Sequence, residues 1–363
     1  MAHMTTENIE TELQHIRYEL YGRVLPFWLR FSYDEEHGGF FNNLDEDGTV
    51  FDTTKHVWLQ ARQCWLFARV ANTHSDAVLA DRFATYAHDD APPSAVATSR
   101  PPKATAKTLP HTRASLVTSA RRGVQFLRDH AVAVDGSVYF AVSRVGLPVL
   151  LQRKIFSAAF LIMALGEVSR ASDEPALFDE AVELLERMLH WARTPGSLGK
   201  PAQAGAMPFE PLNVPMIVLN VITELSRCLP PARSHEAAAF YAEERRSCAS
   251  RILAHAHAGR RCILENVLPG GKADFDTPEG RLMNPGHAIE AAWFLLEHAR
   301  AERDEELETT SLELIDWSWD AGWDAAHGGG MIYFLDAEGF SPTQLEWNMK
   351  LWWPVCEVRE WQQ

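Results

Sequence analysis

The sequence predicts an all-α protein built from helix hairpins, with only short strands between them. Two observations support this prediction. Apolar residues recur at helical spacing through most of the chain, and most of the resulting helices arrive in pairs with short connections. In addition, one structural unit occurs twice, at residues 34–62 and again at residues 327–354. Distant copies of one unit indicate stacked helix pairs whose equivalent loops lie on the same rim of the molecule.

Each copy of this unit contains a turn, a short apolar strand, an acidic residue followed by glycine, and the start of a helix. The turn, strand and acidic–glycine pair run from His37 to Gly48 in the first copy and from His327 to Gly339 in the second. Arg62 follows the first copy on an apolar helix, and Glu346 precedes Trp347 at the equivalent place after the second copy. We therefore expect Arg62 and Glu346 to point toward a shared space.

The helical pattern can be followed along the chain as roughly ten segments. The predicted helices cover residues 7–31, 54–72, 113–130, 155–170, 174–193, 214–228, 235–256, 285–303, 304–321 and 346–353. A two-stranded hairpin is predicted within residues 136–151, and residues 262–264 have the composition of a short strand. Alternation of long helices with such short strands favours a helical fold over a sheet fold.

Residues 88–112 interrupt the helical pattern. This stretch combines proline pairs with Ala, Ser and Thr and has almost no large apolar side chains, so it cannot offset the entropy lost on ordering. We predict a disordered surface insert at 88–112 that the fold does not need. The rest of residues 1–363 is predicted to form a single domain, because a ring of helix pairs keeps one core at this length.

Composition excludes several classes of protein. Hydrophobic residues make up 46% and charged residues 23% of the 363 residues, which is typical of a globular chain. The formal net charge of −15 argues against nucleic acid and anionic membranes as partners. The N-terminus lacks an apolar signal core, so we expect a cytoplasmic protein. The five cysteines have no paired spacing that would indicate a disulfide framework or a zinc site.

The clearest candidate for chemistry is a helix start at residues 284–293. Asn284 is placed as the N-cap, Pro285 as the first helical residue, and His287 and Glu290 share one face. The helix dipole disfavours a charged histidine there, so His287 is a candidate general base and Asn284 a candidate substrate contact. A structural histidine is an equally good interpretation of this motif alone.

The other candidates are also open to two interpretations. Arg62 either binds an oxyanion or forms half of a structural ion pair. Glu346 either contacts a ligand or stabilises the start of a helix. Trp58, Trp347 and Trp352 either pack in the core or stack on the apolar face of a sugar. The sequence contains no metal-binding cluster and no phosphate-binding loop motif.

Three segments of the chain together resemble the N-acylglucosamine 2-epimerase family, also called renin-binding proteins. They are residues 55–62, 284–291 and 342–354, and the similarity extends over nearly the whole chain outside the insert. The resemblance implies an (α/α)6 barrel that interconverts N-acetyl-D-glucosamine and N-acetyl-D-mannosamine. It also implies ATP as an allosteric effector that is not consumed, no metal, a homodimer, and renin as a protein partner.

The resemblance assigns roles to the candidate residues. His287 is one acid/base for the proton on C2, Arg62 holds the developing oxyanion, and Glu290 and Glu346 orient the sugar or assist ring opening. Members of the family usually continue through a further helix hairpin with a second catalytic histidine. We therefore expect a barrel that is incomplete at its C-terminal end and lacks its last helix pair.

Two alternative functions remain open at this point. One is an inactive homologue that binds a sugar or a protein such as renin. The other is a related aldose–ketose isomerase or disaccharide 2-epimerase on the same barrel. Deuterium exchange at C2 of N-acetylmannosamine separates these functions, because only an active acid/base removes that proton.

Overall fold

The structure is a computed structural model that describes residues 6–87, 111–199, 204–231 and 234–361. It divides into two compact units, Met1–Pro201 with Arg227–Pro231, and Ala202–Ser226 with Ala232–Gln363. The prediction of one domain over residues 1–363 stays a prediction. The predicted insert lies outside the described residues, apart from His111 and Thr112. None of the helices in the described ranges is both long enough and apolar enough to span a membrane.

The first unit is mostly helical. Its helices are α1 (Thr6–Arg17), α2 (Leu25–Phe31), α3 (Val57–Thr73), α4 (Asp76–Thr85), α5 (Arg113–His130), α6 (Phe156–Ser172) and α7 (Pro175–Arg193). A π-helical segment, Tyr18–Val24, joins α1 to α2, so the single first helix predicted from the sequence is a continuous but irregular one. Helix α6 is almost entirely buried, because it packs against α3, α5 and α7. Gly123 allows α5 to approach α3 closely, since a Cβ there would collide with Cys64 and Phe40.

Short strands connect the helices of the first unit. Strand β1 (Asn43–Leu44) pairs with β2 (Val50–Asp52), while β3 (Lys55–His56), β4 (Ala141–Val142) and β5 (Pro148–Leu150) form an antiparallel sheet in that order. The predicted hairpin at residues 136–151 is therefore confirmed, with strands shorter than the apolar runs. Its pairing with β3 places the first copy of the repeated unit beside the hairpin.

A buried ion pair closes the first copy of the repeated unit. The chain turns back after α2 and forms a bridge between Tyr33 and Phe40. Inside this loop, Lys55 Nζ donates hydrogen bonds to Asp34 Oδ2 at 3.0 Å and to the carbonyl oxygen of Gly38 at 2.6 Å. Both charged side chains are fully buried.

The second unit contains the remaining elements. Its helices are α8 (Asn213–Arg227), α9 (Ser234–Leu253), α10 (Pro278–Arg281), α11 (Pro285–Glu302), α12 (Glu305–Gly322) and α13 (Trp352–Trp361). Its strands are β6 (Glu210–Pro211), β7 (Ala256–His257), β8 (Cys262–Ile263), β9 (Asn266–Val267), β10 (Leu282–Met283) and β11 (Leu335–Asp336). Strand β6 pairs with β9, β7 with β8, and β10 with β11. Helix α11 forms a hairpin with α12 and also packs against α13.

The second copy of the repeated unit has the same internal contacts as the first. A bridge joins Trp323 to Met331, and Lys350 Nζ donates to Asp324 Oδ2 at 2.9 Å and to the carbonyl oxygen of His327 at 3.1 Å. These contacts match those of Lys55 in kind, although Lys350 is 30% exposed. The repeated sequence pattern therefore corresponds to a repeated turn held by a lysine and an aspartate.

The last predicted helix, at residues 346–353, is wrong in its boundaries. Helix α13 begins only at Trp352, and residues 345–348 form turns. The backbone N–H of Phe334 donates to the carbonyl of Trp347, and that of Tyr333 donates to the carbonyl of Met349. A helix starting at Glu346 would need those carbonyl groups for its own hydrogen bonds. Pairing with the second repeat therefore overrides the helical pattern.

Candidate active site

His287 lies in the first turn of α11, where the sequence placed it. The side chain of Asn284 caps this helix, because its Oδ1 accepts a hydrogen bond from the His287 N–H at 3.1 Å. Asn284 is only 1% exposed. Asn284 is therefore buried at the start of the helix. The side chain of His287 is 26% exposed and is the part of this motif that a ligand can reach.

Glu265, for which the sequence carries no recognisable signal, contacts the ring of His287. His287 Nδ1 lies 3.1 Å from both carboxylate oxygens of Glu265. Glu265 lies just before β9, 22 residues ahead of His287 in the chain, so helical spacing gives no signal of this contact. Backbone hydrogen bonds to Leu212 and Leu282, each 2.8 Å long, hold Glu265 in place.

The carboxylates around His287 act on its pKa in the direction opposite to the helix dipole. Burial alone lowers the pKa of His287, but the charge and hydrogen bond of Glu265, together with the charges of Glu290 and Glu357, raise this pKa above its ordinary value. The helix dipole and these carboxylates therefore act in opposite directions on the pKa of His287, and the prediction of a neutral ring stays a prediction. Glu290 fulfils its predicted place on the same helix face as His287.

One aromatic ring contacts His287, and a second ring contacts the first. The ring of Trp353 lies 5.4 Å from that of His287, and Tyr333 meets Trp353 edge to face at 6.2 Å. Burial raises the pKa of Tyr333, and the charges of Glu346 and Glu265 raise it further. Glu346 itself is exposed and lies in a turn. The charge of Glu346 nevertheless acts on the hydroxyl group of Tyr333.

The two remaining tryptophans of this segment lie elsewhere. Trp352, a predicted sugar contact, is 77% exposed on the first turn of α13, and its neighbour Trp353 occupies the place beside His287. Trp347 is half-buried, and its carbonyl accepts the hydrogen bond from Phe334. The nearby Glu357, which the sequence did not single out, accepts a hydrogen bond from Trp293 Nε1 at 2.9 Å.

Arg62 lies in the first unit, on the exposed side of α3. Its guanidinium group stacks 5.0 Å from the centre of the Phe160 ring and 5.8 Å from that of Trp58. No carboxylate forms an ion pair with Arg62 within the described part of the chain, so the structure does not show the ion pair considered above. Trp58 and Phe160 also line a cavity of about 220 Å³. The cavity is lined further by Phe140, Phe156, Ser157 and Lys154.

This arrangement allows proton transfer. In the second unit, the Nδ1 atom of His287 is engaged by Glu265, whereas Nε2 has no hydrogen-bond partner among the described residues. An imidazole nitrogen of this kind can remove a proton from carbon and return it. In the first unit, Arg62 offers a positive charge beside aromatic rings, a combination that suits an oxygen-rich ligand with an apolar face.

The chain is similar in sequence to known sugar epimerases. The sequence model of the N-acylglucosamine 2-epimerase (GlcNAc 2-epimerase) family matches residues 104–360. The human N-acylglucosamine 2-epimerase is 38% identical over 356 residues, which cover 97% of this chain and 74% of the human protein.

Solved structures of other sugar-converting enzymes share the fold. A sugar epimerase from a ruminal bacterium superposes with a TM-score of 0.64 at 18% identity, covering 95% of this chain and 79% of the other. The cellobiose 2-epimerase of Bacillus thermoamylovorans gives a TM-score of 0.66 at 17% identity, covering 96% and 80%. The fold is thus the predicted all-α (α/α)6 barrel type.

Proposed function

The chain belongs to the N-acylglucosamine 2-epimerase family, and we propose that it interconverts N-acetyl-D-glucosamine and N-acetyl-D-mannosamine by inverting the configuration at C2. The observation that carries this proposal is His287, a histidine held by Glu265 with a ring nitrogen left for proton transfer. The hydrogen on C2 of the open-chain sugar is acidic because the C1 aldehyde is adjacent. A base is therefore what the reaction needs first.

We propose the following step for His287. Nε2 takes the C2 proton, the electron pair of the C–H bond forms the C1–C2 double bond, and the electron pair of the C=O π bond moves to the aldehyde oxygen, which becomes an enolate oxygen. Protonation of the opposite face of C2 by solvent gives the epimer, and His287 releases the proton that it took to solvent. Arg62 is proposed to bind the enolate oxygen, a role supported by its exposed guanidinium group, which has no carboxylate partner among the described residues.

The roles of the remaining site residues are proposals of the same kind. Glu290 and Glu346 are proposed to orient hydroxyl groups or to assist ring opening. The charge of Glu290 acts on His287, and the charge of Glu346 acts on Tyr333. Trp58 is proposed to contact the sugar, as a lining residue of the cavity near Arg62. Trp353 is a better candidate than Trp352 for stacking, because it faces His287.

Family membership also supports proposals about regulation and assembly. We propose that ATP acts as an effector that is not consumed, that the active form is a cytoplasmic homodimer, and that renin is a candidate partner. Light scattering measures the mass of the active form. Comparison of rates with ATP and with a non-hydrolysable analogue tests whether nucleotide accelerates the reaction without turnover.

The test of the main proposal is proton NMR of N-acetylmannosamine in heavy water with the wild-type chain and with His287→Gln. We expect loss of the C2 proton signal together with formation of N-acetylglucosamine, and a rate at least about 100-fold lower in the variant. Binding without exchange would instead support the inactive binding homologue. Conversion of mannose or cellobiose alone would support the related isomerases and disaccharide epimerases.

A further inference from the structure

We propose that Glu265 is a positioning residue that fixes the tautomer of His287, so that Nδ1 carries the hydrogen and Nε2 is the nitrogen that exchanges protons with the substrate. This inference rests on the proposed function, since it assigns the working nitrogen of the proposed base. It adds a residue that neither the sequence motifs nor the family resemblance pointed out.

The contact between Glu265 and His287 is symmetric. Both oxygens of Glu265 lie 3.1 Å from Nδ1, so the nitrogen faces the centre of the carboxylate. An ionised carboxylate can only accept hydrogen bonds, so Nδ1 has to be the donor. In the neutral ring the lone pair is then on Nε2. Without Glu265 the two tautomers would be free to interchange, and part of the enzyme would carry hydrogen on the wrong nitrogen.

Hydrogen bonds to neighbouring residues hold both Glu265 and His287 in place. Glu265 is 8% exposed and is flanked by Leu264 and Val267, two core residues that are each 1% exposed. Its own N–H donates to the carbonyl of Leu282, and its carbonyl accepts from the N–H of Leu212. His287 is fixed through the cap formed by Asn284. These contacts hold the backbone of both residues in the positions that bring their side chains together.

Charge balance gives Glu265 a second effect. No arginine or lysine within the described ranges forms an ion pair with this buried carboxylate, and its partner is His287. The groups that face His287 are Glu265 from the loop before β9, Glu290 from α11 itself and Glu357 from α13. All three are acidic. The imidazolium that forms when Nε2 takes the C2 proton is therefore stabilised, most directly by Glu265.

The proposal predicts a specific kinetic pattern. Glu265→Gln keeps the size of the side chain but removes the charge, and its amide can also donate a hydrogen bond. We expect kcat for C2 exchange to fall on the order of 100-fold while KM changes little, and the acidic limb of the rate profile to move to lower pH. Glu265→Asp keeps the charge at a greater distance and should restore part of kcat. Asp320→Asn, which alters an exposed ion pair with Arg261, is the control and should leave the profile unchanged.

Nitrogen-15 NMR of His287 provides a readout that does not depend on turnover. In the wild type we expect a protonated Nδ1 and an unprotonated Nε2 above the pKa of the ring, and in Glu265→Gln a mixture of tautomers and a lower pKa. Hydrogen on Nε2 in the wild type, or an unchanged rate profile in a folded Glu265→Gln protein, would overturn the proposal. If the wild type neither exchanges nor epimerises, the proposed function fails, and the nitrogen shifts still decide the tautomer.

Discussion

Trp353 covers the imidazole of His287, with 5.4 Å between the ring centres and 37° between the ring planes. The contact depends on Gly286, the residue before His287. A Cβ at Gly286 would lie 2.7 Å from the Trp353 ring and 2.9 Å from Pro354. The close approach of α13 to the start of α11 therefore requires the absence of a side chain at this position.

Replacement of Trp353 should affect catalysis more than replacement of Trp352. Trp353→Leu removes the flat ring beside His287, so we expect a higher KM for N-acetylmannosamine and a lower rate of C2 exchange, each by roughly 10-fold, since one stacked ring contributes about 1–3 kcal/mol. Trp352→Leu is the matched control, because that side chain is 77% exposed. Equal kinetic constants for the two variants would show that the ring beside His287 does not contact the sugar.

Gly286→Ala is expected to reduce both stability and activity. Alanine is favoured over glycine inside a helix by about 1 kcal/mol, which alone would stabilise α11. The added methyl group, however, meets the rigid ring of Trp353, and overpacking of this kind costs about 1–3 kcal/mol. We therefore expect a net loss of unfolding free energy and a slower C2 exchange. A variant that is more stable than the wild type with unchanged exchange would show that Trp353 moves aside without consequence.

The sequence predicted the helices well because long periodic segments dominate the chain. Residues 113–130 were predicted with the observed ends, as Thr112 caps this helix. Glu265 could not be predicted, because it follows a short strand and reaches His287 only through pairing of strands distant in the sequence. Trp352 and Trp353 could not be distinguished either, since the turn that precedes α13 is set by hydrogen bonds from Tyr333 and Phe334.

Loss of the buried charge on Asp34 should destabilise the first unit strongly. Asp34→Asn leaves Lys55 without its anion although the lysine is fully buried, and breaking a buried pair in this way costs about 3–5 kcal/mol. Asp324→Asn, the equivalent change in the second repeat, should cost much less, because Lys350 is 30% exposed. Urea unfolding of both variants at neutral pH measures the difference. Similar losses in the two variants would show that burial does not set the strength of this contact.

The same aspartate should make stability depend on acid. Burial raises the pKa of Asp34, but hydrogen bonds from Arg144 and Lys55 outweigh burial and lower this pKa to about 2. Because the folded pKa lies below the unfolded one, this contribution is present above the unfolded pKa of about 4 and is lost as the pH falls toward 2. Because the Asp34 side chain is fully buried, this contribution to the free energy of unfolding amounts to about 2 kcal/mol. The stability gap between wild type and Asp34→Asn should therefore narrow between about pH 4 and pH 2, and a constant gap would contradict the assignment.

Removal of the predicted insert should leave stability nearly unchanged only if its last two residues are kept. His111 stacks on Phe83 with 4.1 Å between ring centres, so the chain leaves and re-enters the first unit at neighbouring points and a short loop can join them. Thr112 caps α5, its side chain accepting a hydrogen bond from the N–H of Ser115. We expect deletion of residues 89–110 to leave the thermal midpoint nearly unchanged. Deletion of residues 89–112 should cost about 1 kcal/mol more, because it removes the cap. Thr112→Ala in the full chain should reproduce that extra loss, whereas equal midpoints for the two deletions would show that the cap contributes nothing to the stability of α5.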